Sequence, residues 1–201
     1  MKMLFPDFIW NTKNDKVLLT FDDGPNPNST EIILTTLEQM NIKGLFFCVG
    51  NNVDKYTSLA KDILSAGHSI GNHTFNHKII SKIRQEDVLT EIKSMNNVVV
   101  DKLSYQIKYF RPPHGKFRLN TSSLMKEVKM KNVMWSLLTY DFQYNLSLVN
   151  NSVHRFLKSD SIIVLHDSNK SKDIIRDSIL FIADEVNNRG LAFGDTEECL
   201  N

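Results

Sequence analysis

Cysteine is scarce in this sequence: Cys48 and Cys199 are the two in 201 residues. Two thiols make neither a disulfide framework nor a cysteine-based zinc cluster. Cys48 lies in the apolar run Leu45-Phe46-Phe47-Cys48-Val49 and reads as buried. Cys199 lies among acids and reads as exposed. Long apolar runs are missing too. Ile162-Ile163-Val164-Leu165 is typical of the longest, far short of the roughly 20 residues that span a bilayer. From Met1 onward, Pro6 and Asp7 arrive too early for the apolar centre of an export signal. The expectation is a chain without a leader, or one whose leader was trimmed, and its compartment stays open. Excess charge of one sign is also absent, since 24 Lys and Arg against 23 Asp and Glu leave +1. No global field draws the protein to nucleic acid or to an anionic membrane. Low-complexity tracts, repeats and Pro/Gly-rich linkers do not occur.

The composition is that of an ordinary globular chain, 41% hydrophobic and 23% charged, with length enough for a substantial core. One domain over residues 1–201 is expected, with its motif-bearing part at 16–193, as a monomer.

Strand-like runs alternate with helix-like stretches. Strands are predicted at 16–21, 44–49, 68–72, 107–110, 161–165 and 190–193, with 132–137 extended. Helices are predicted at 29–40, 54–66, 85–105, 120–131, 146–158 and 173–188, with Ser29 or Thr30 as a cap and Gly67 as a C-terminal stop. This rhythm predicts an α/β fold with a mostly parallel sheet. In such folds the chemistry gathers in loops at the C-terminal ends of strands. Five polar clusters sit there: Asp22-Asp23, His73 to His77, Arg111 to Gly115, Thr139 to Phe142 and His166-Asp167. The N-terminal Leu4 to Trp10 reads as a flap over the bottom of the core.

Each cluster has a chemical and a plain reading. Asp22 and Asp23 point different ways at a strand end, so one can bind a metal while the other faces a substrate; Asp-Gly-Pro is also an ordinary turn. His73 and His77 are four apart, and on a helical turn both can hold one ion. With six histidines, about 0.2 such pairs arise by chance, so the pair alone is weak. With an Asp, the two imidazoles make a site that leaves positions open for water and substrate. His166 reads as a general acid or base, or as a hydrogen-bonded strand cap. Arg111 reads as a carboxylate clamp or a surface cation. Asp141, between two aromatics, can orient an imidazole. His154 reads as solvated, and His68 as a partner for local backbone.

Together the clusters resemble the polysaccharide deacetylases (carbohydrate esterase family 4). Thr20-Phe21-Asp22-Asp23-Gly24-Pro25 is similar to the family's first motif and His73-Thr74-Phe75-Asn76-His77 to its second. Arg111-Pro112-Pro113-His114-Gly115 resembles the third, where His114 replaces the usual Tyr. Trp135 through Asp141-Phe142 resembles the fourth, with Phe142 for the common Trp, and Leu165-His166-Asp167 the fifth. The resemblance implies a distorted, incomplete (β/α) barrel. It implies one divalent metal held by Asp23, His73 and His77, usually zinc and sometimes cobalt or another transition metal. Asp22 would be the base, held by Arg111, and His166 the acid, oriented by Asp141. The His114 backbone N–H would serve an oxyanion hole, beside Pro113, and Leu165 would line a pocket for the acetyl methyl. The reaction implied is metal-dependent release of acetate from an N-acetylated glycan of the chitin or peptidoglycan type.

Three rival readings stand beside it. One is a metal-dependent amidase for non-sugar C–N bonds. Another is an Fe(II) oxygenase, which leaves Asp22, Arg111 and His166 without roles. The last is a non-catalytic glycan binder, which would not need every polar group.

Overall fold

The apolar runs form strands because Leu, Ile, Val and Phe fill them and polar turns stop them. In the computed structural model, which describes residues 4–201, they are β1 (Leu18–Asp22), β2 (Gly44–Cys48), β3 (Ser69–Asn72), β4 (Tyr109–Phe110), β5 (Lys131–Asn132), β6 (Leu137–Leu138) and β7 (Ile162–His166). Met1 to Met3, where the leader reading begins, lie outside the described residues. The seven strands pair in parallel in the order β5-β4-β3-β2-β1-β7-β6.

This sheet must curl. Its two edge strands, β5 and β6, belong to one short segment, residues 131–138. Five extended residues reach at most about 18 Å, whereas seven flat strands would span about 29 Å. The segment bridges the gap, and the result is the expected incomplete β/α barrel.

Strand alternation sorts the side chains. Leu18, Leu45, Phe47, Tyr109, Val133 and Ile162 form an inner core. Leu19, Phe21, Phe46, Cys48, Ile163 and Leu165 face an outer core shared with the helices. Those helices are α1 (Thr30–Gln39), α2 (Gly50–Lys55), α3 (Thr57–Ser65), α4 (Gln85–Leu103), α5 (Thr121–Glu127), α6 (Leu146–Phe156), α7 (Ile175–Asn188) and α8 (Thr196–Leu200).

Several expectations needed correction. The 54–66 helix starts earlier, at Gly50, and breaks at Tyr56. The 120–131 helix stops at Glu127, and Lys129 turns left-handed at φ 55°. Residues 190–193 make only an isolated bridge, Phe193 to Val17. The unexpected α8 plugs the bottom of the barrel and buries Cys199, because Asp195 and Glu198 form its capping box and its apolar side turns inward. The N-terminal segment is therefore not the bottom cover. Ile9 bridges Val133, and Phe5 and Phe8 pack on Met134 beside the closing segment.

Candidate functional site

All five polar clusters meet at the C-terminal ends of the strands, around a cavity of about 470 Å³. Asp22, Asp23, His73, His77, His114 and His166 line it. Trp135, Leu138, Phe142 and Val164 form its apolar wall.

Asp22 ends β1 facing inward, in register with Leu18 and Thr20. Arg111, just after β4, reaches it through the barrel interior. Arg111 Nη1 donates to Asp22 Oδ1 at 2.7 Å and to Thr20 Oγ1 at 2.8 Å. The same fully buried guanidinium donates to the carbonyls of Val133 and Met134 in the bridging segment. Its flat face stacks on Phe47, 4.1 Å from the ring centroid. Phe47 fits because residue 71 is glycine: a Cβ there would lie 2.5 Å from the ring.

Asp23 turns the other way, in left-handed backbone at φ 78°. Its Oδ1 lies 3.1 Å from His77 Nε2 and 3.6 Å from His73 Nε2. Burial works against its charge, but the His77 hydrogen bond and the neighbouring imidazoles outweigh that and hold the carboxyl well below the usual range. One ligand atom from each of Asp23, His73 and His77 lies within 4.8 Å of the others. His73 Nδ1 donates to the Arg111 carbonyl at 2.8 Å, since a carbonyl only accepts. That fixes the tautomer and leaves the Nε2 lone pair on the Asp23 side, as a metal ligand requires. Burial pushes the His73 imidazole down to about 4, so its neutral, ligating form prevails at neutral pH. These residues fit a divalent cation.

The expected helical turn at 73–77 is absent. Thr74 and His77 are left-handed, at φ 66° and 57°, and the chain is a loop. It is pinned by the first amides of α2: Gly50 N donates to Thr74 O and Asn51 N to Phe75 O.

On the opposite side, His166 Nδ1 lies 2.7 Å from Asp141 Oδ1, while the His166 backbone N–H donates to Asp141 Oδ2 at 2.7 Å. Burial opposes the imidazolium, but Asp141, Asp22 and Asp23 outweigh it and push His166 up to about 9. Thr139 Oγ1 also donates to the fully buried Asp141. Phe142 sits edge-on to the imidazole, 5.1 Å between centroids.

Three placements differ from expectation. Leu165 does not line the cavity. Alternation along β7 sends it to the outer core, and Val164 and Leu138 take the wall. Pro113 is buried beneath its loop, while His114 and Gly115 reach the cavity. Ser29 does not cap α1 through its side chain, because its hydroxyl goes to Asp167 Oδ1, as Thr30 Oγ1 goes to Oδ2. Burial, with those hydroxyls opposing, pushes Asp167 up to about 6. His68 Nδ1 accepts from Gly44 N, and His154 is exposed, both as expected.

Sequence reasoning missed Glu91. This buried carboxylate on α4 grips the His73–His77 loop. A signal existed: the buried face of α4 runs Val88, Glu91, Ile92, Met95, Val99, and a charge on that stripe calls for a partner. It also missed Asn52, whose Nδ2 donates to the Asp23 carbonyl.

The incomplete parallel barrel thus holds an Asp-His-His cluster between a carboxylate clamped by Arg111 and an imidazole bonded to Asp141. Residues 10–133 match the Polysaccharide deacetylase family, and the chain belongs to it. It is 32% identical over 154 residues to a peptidoglycan-N-acetylglucosamine deacetylase of Bacillus cereus, covering 76% of this chain and 56% of that protein. It is 30% identical over 168 residues to the peptidoglycan-N-acetylglucosamine deacetylase PgdA of Listeria monocytogenes, covering 83% and 35%. The chain thus spans about half and about a third of these relatives' lengths. In three dimensions it resembles a peptidoglycan N-acetylglucosamine deacetylase solved with a hydroxamate-type ligand, at TM-score 0.91 and 27% identity, covering 96% and 92% of the two chains. A CE4 family pseudoenzyme from Bacillus anthracis, 21% identical with TM-score 0.86, shares the fold.

Proposed function

We propose that this chain hydrolyses the N-acetyl group of an N-acetylated glycan and releases acetate, with Asp23, His73 and His77 holding a divalent metal, zinc in the first instance. The observation that carries the reading is the opposition of two groups across one cavity. Asp22 is clamped by Arg111 on one side, and His166 is charged by Asp141 on the other. The relatives described as peptidoglycan deacetylases support the same choice of bond and polymer.

When bound, the metal supplies Lewis-acid polarisation and a lower pKa for a coordinated water. The rest is done by side chains. Arg111 occupies Asp22 Oδ1, and Oδ2 lies on the metal-ligand side, 3.8 Å from His73 Nε2. Asp22 Oδ2 takes the proton of the attacking water. The developing oxyanion accepts a hydrogen bond from the His114 backbone N–H. His166, with Nδ1 engaged by Asp141, keeps Nε2 for the cavity and gives its proton to the departing sugar nitrogen. C–N cleavage then yields acetate and a free amine. Val164, Leu138 and Trp135 exclude water around the acetyl methyl.

The test is acetate release from peptidoglycan and from chitin oligomers, using metal-loaded protein, chelated protein and Asp22→Asn. Release that needs both metal and Asp22 is expected. No release from any glycan, with metal still bound, would overturn the reading in favour of an amidase for non-sugar C–N bonds.

A further inference from the structure

The two candidate imidazole ligands are held in unlike ways. His73 is 1% exposed, and its Nδ1 is engaged by the Arg111 carbonyl. His77 has a side chain 29% exposed. Among the described residues its polar and ring partners are Asp23 Oδ1, the His73 ring at 5.0 Å and the His114 ring at 4.8 Å, and no hydrogen bond engages its Nδ1. All three partners line the same cavity. Its position therefore depends on its backbone, which is left-handed at φ 57° in a residue that is not glycine.

One buried side chain meets both flanking residues, Asn76 through its backbone and Lys78 through its ammonium. Glu91 Oε2 accepts from the Asn76 backbone N–H at 2.7 Å. Glu91 Oε1 accepts from Asn76 Nδ2 at 3.0 Å and from Lys78 Nζ at 2.9 Å. Residues 76 and 78 bracket His77. The carboxylate is 4% exposed and sits on the packed face of the 19-residue helix α4. Next along this helix, the Ile92 carbonyl and Asn96 Oδ1 accept from Asn72 Nδ2, and Asn72 Oδ1 in turn accepts from Thr74 N. So α4 fixes the loop at both ends, and Glu91 serves the His77 end.

We infer that Glu91 is the positioning residue for His77 and sets the affinity of the three-residue site for a divalent cation, although it touches neither cation nor substrate. The inference rests on the metal-binding part of the proposed function and not on the identity of the substrate.

Zinc titration of the metal-free protein tests it without any turnover. Groups behind a metal ligand are commonly worth about 10- to 100-fold in affinity, and Glu91→Ala is expected to weaken zinc binding by that factor. A double-mutant cycle with His77→Ala separates positioning from general loosening. If Glu91 acts through His77, adding Glu91→Ala to His77→Ala costs no more than about twofold further, because contacts in one network are not additive. Glu91→Gln keeps the size and one acceptor, but in either amide orientation its NH2 faces at least one donor, the Asn76 backbone N–H or the Asn76 and Lys78 side chains; it should fold, and should weaken binding in the same direction. Cobalt spectra should show altered ligation in either Glu91 variant and not in a control on the exposed side of α3, Lys61→Ala. Equal losses in the presence and absence of His77, or affinity within twofold of the parent in both Glu91 variants, would overturn the inference. So would a parent protein that binds no zinc. A parent that binds zinc but releases no acetate leaves this inference standing and removes only the deacetylase reading.

Discussion

Arg111 Nη1 stands 2.7 Å from Asp22 Oδ1, deep in the barrel, and no other side-chain cation pairs with Asp22 among the described residues. The pair serves two ends at once, since the same guanidinium holds the carbonyls of Val133 and Met134. Removing one partner of a buried ion pair typically costs about 3–5 kcal/mol. Arg111→Ala should therefore lower unfolding stability by that order in urea titrations. Asp22→Asn retains an acceptor for the guanidinium and removes the proposed base. It should fold, yet release acetate roughly 10²- to 10⁴-fold more slowly.

The pH profile follows from His166. Its pKa is pushed up to about 9, mainly by Asp141 acting against burial, so the acid form persists through neutral pH and is lost as pH rises past that value. The kcat/KM profile should have an alkaline limb near there. Asp141→Asn removes the charge that raises the imidazole, and the limb should move down toward the ordinary histidine value of about 6.5. A limb that stays in place would exclude His166 as the acid.

Metal should act on stability as well as on rate. A ligand that binds only the folded form stabilises it by about 2.7 kcal/mol at one hundred times its Kd. Zinc should therefore raise the melting temperature of the parent protein. His73→Ala should abolish that rise, because it removes the proposed ligand whose tautomer is fixed by the Arg111 carbonyl. Chelation should return the parent to the metal-free melting point and stop acetate release.

The apolar wall gives a prediction opposite to the motif reading. Leu165→Ala truncates the outer core, which typically costs about 2–5 kcal/mol, and should leave KM of the folded protein unchanged. Val164→Ala and Leu138→Ala enlarge the cavity wall and should raise KM. Urea titration and steady-state kinetics on the three variants separate the two effects.

Much of this site was legible because its residues end apolar runs. Asp22 and His166 end strands and His73, Arg111 and Asp141 come soon after them, and parallel strands bring such ends together whatever their separation in sequence. What stayed hidden depends on geometry that spacing does not carry. The 73–77 spacing suggested a helical turn, but two left-handed residues make it a loop. Leu165 lost its place at the cavity to strand alternation, which sends its side chain outward. Cys199 looked exposed because its neighbours are acids, yet those acids face Lys16 and Lys108 while the thiol turns inward. Glu91 lies on the buried stripe of α4, but its partners Asn76 and Lys78 come from a loop that helix spacing does not name.

The segment 131–138 has a consequence for the order of assembly. It starts on one edge of the sheet and ends on the other, so its final position exists only once strands on both sides have formed. The pairing of β1 with β7 joins chain segments more than 140 residues apart, a slow kind of closure for a folding chain. Arg111 completes its bonds to Val133 and Met134 only at that stage, and Asp22 is oriented through Arg111. The aim of the Asp22 carboxylate is thus tied to a closure between distant parts of the chain.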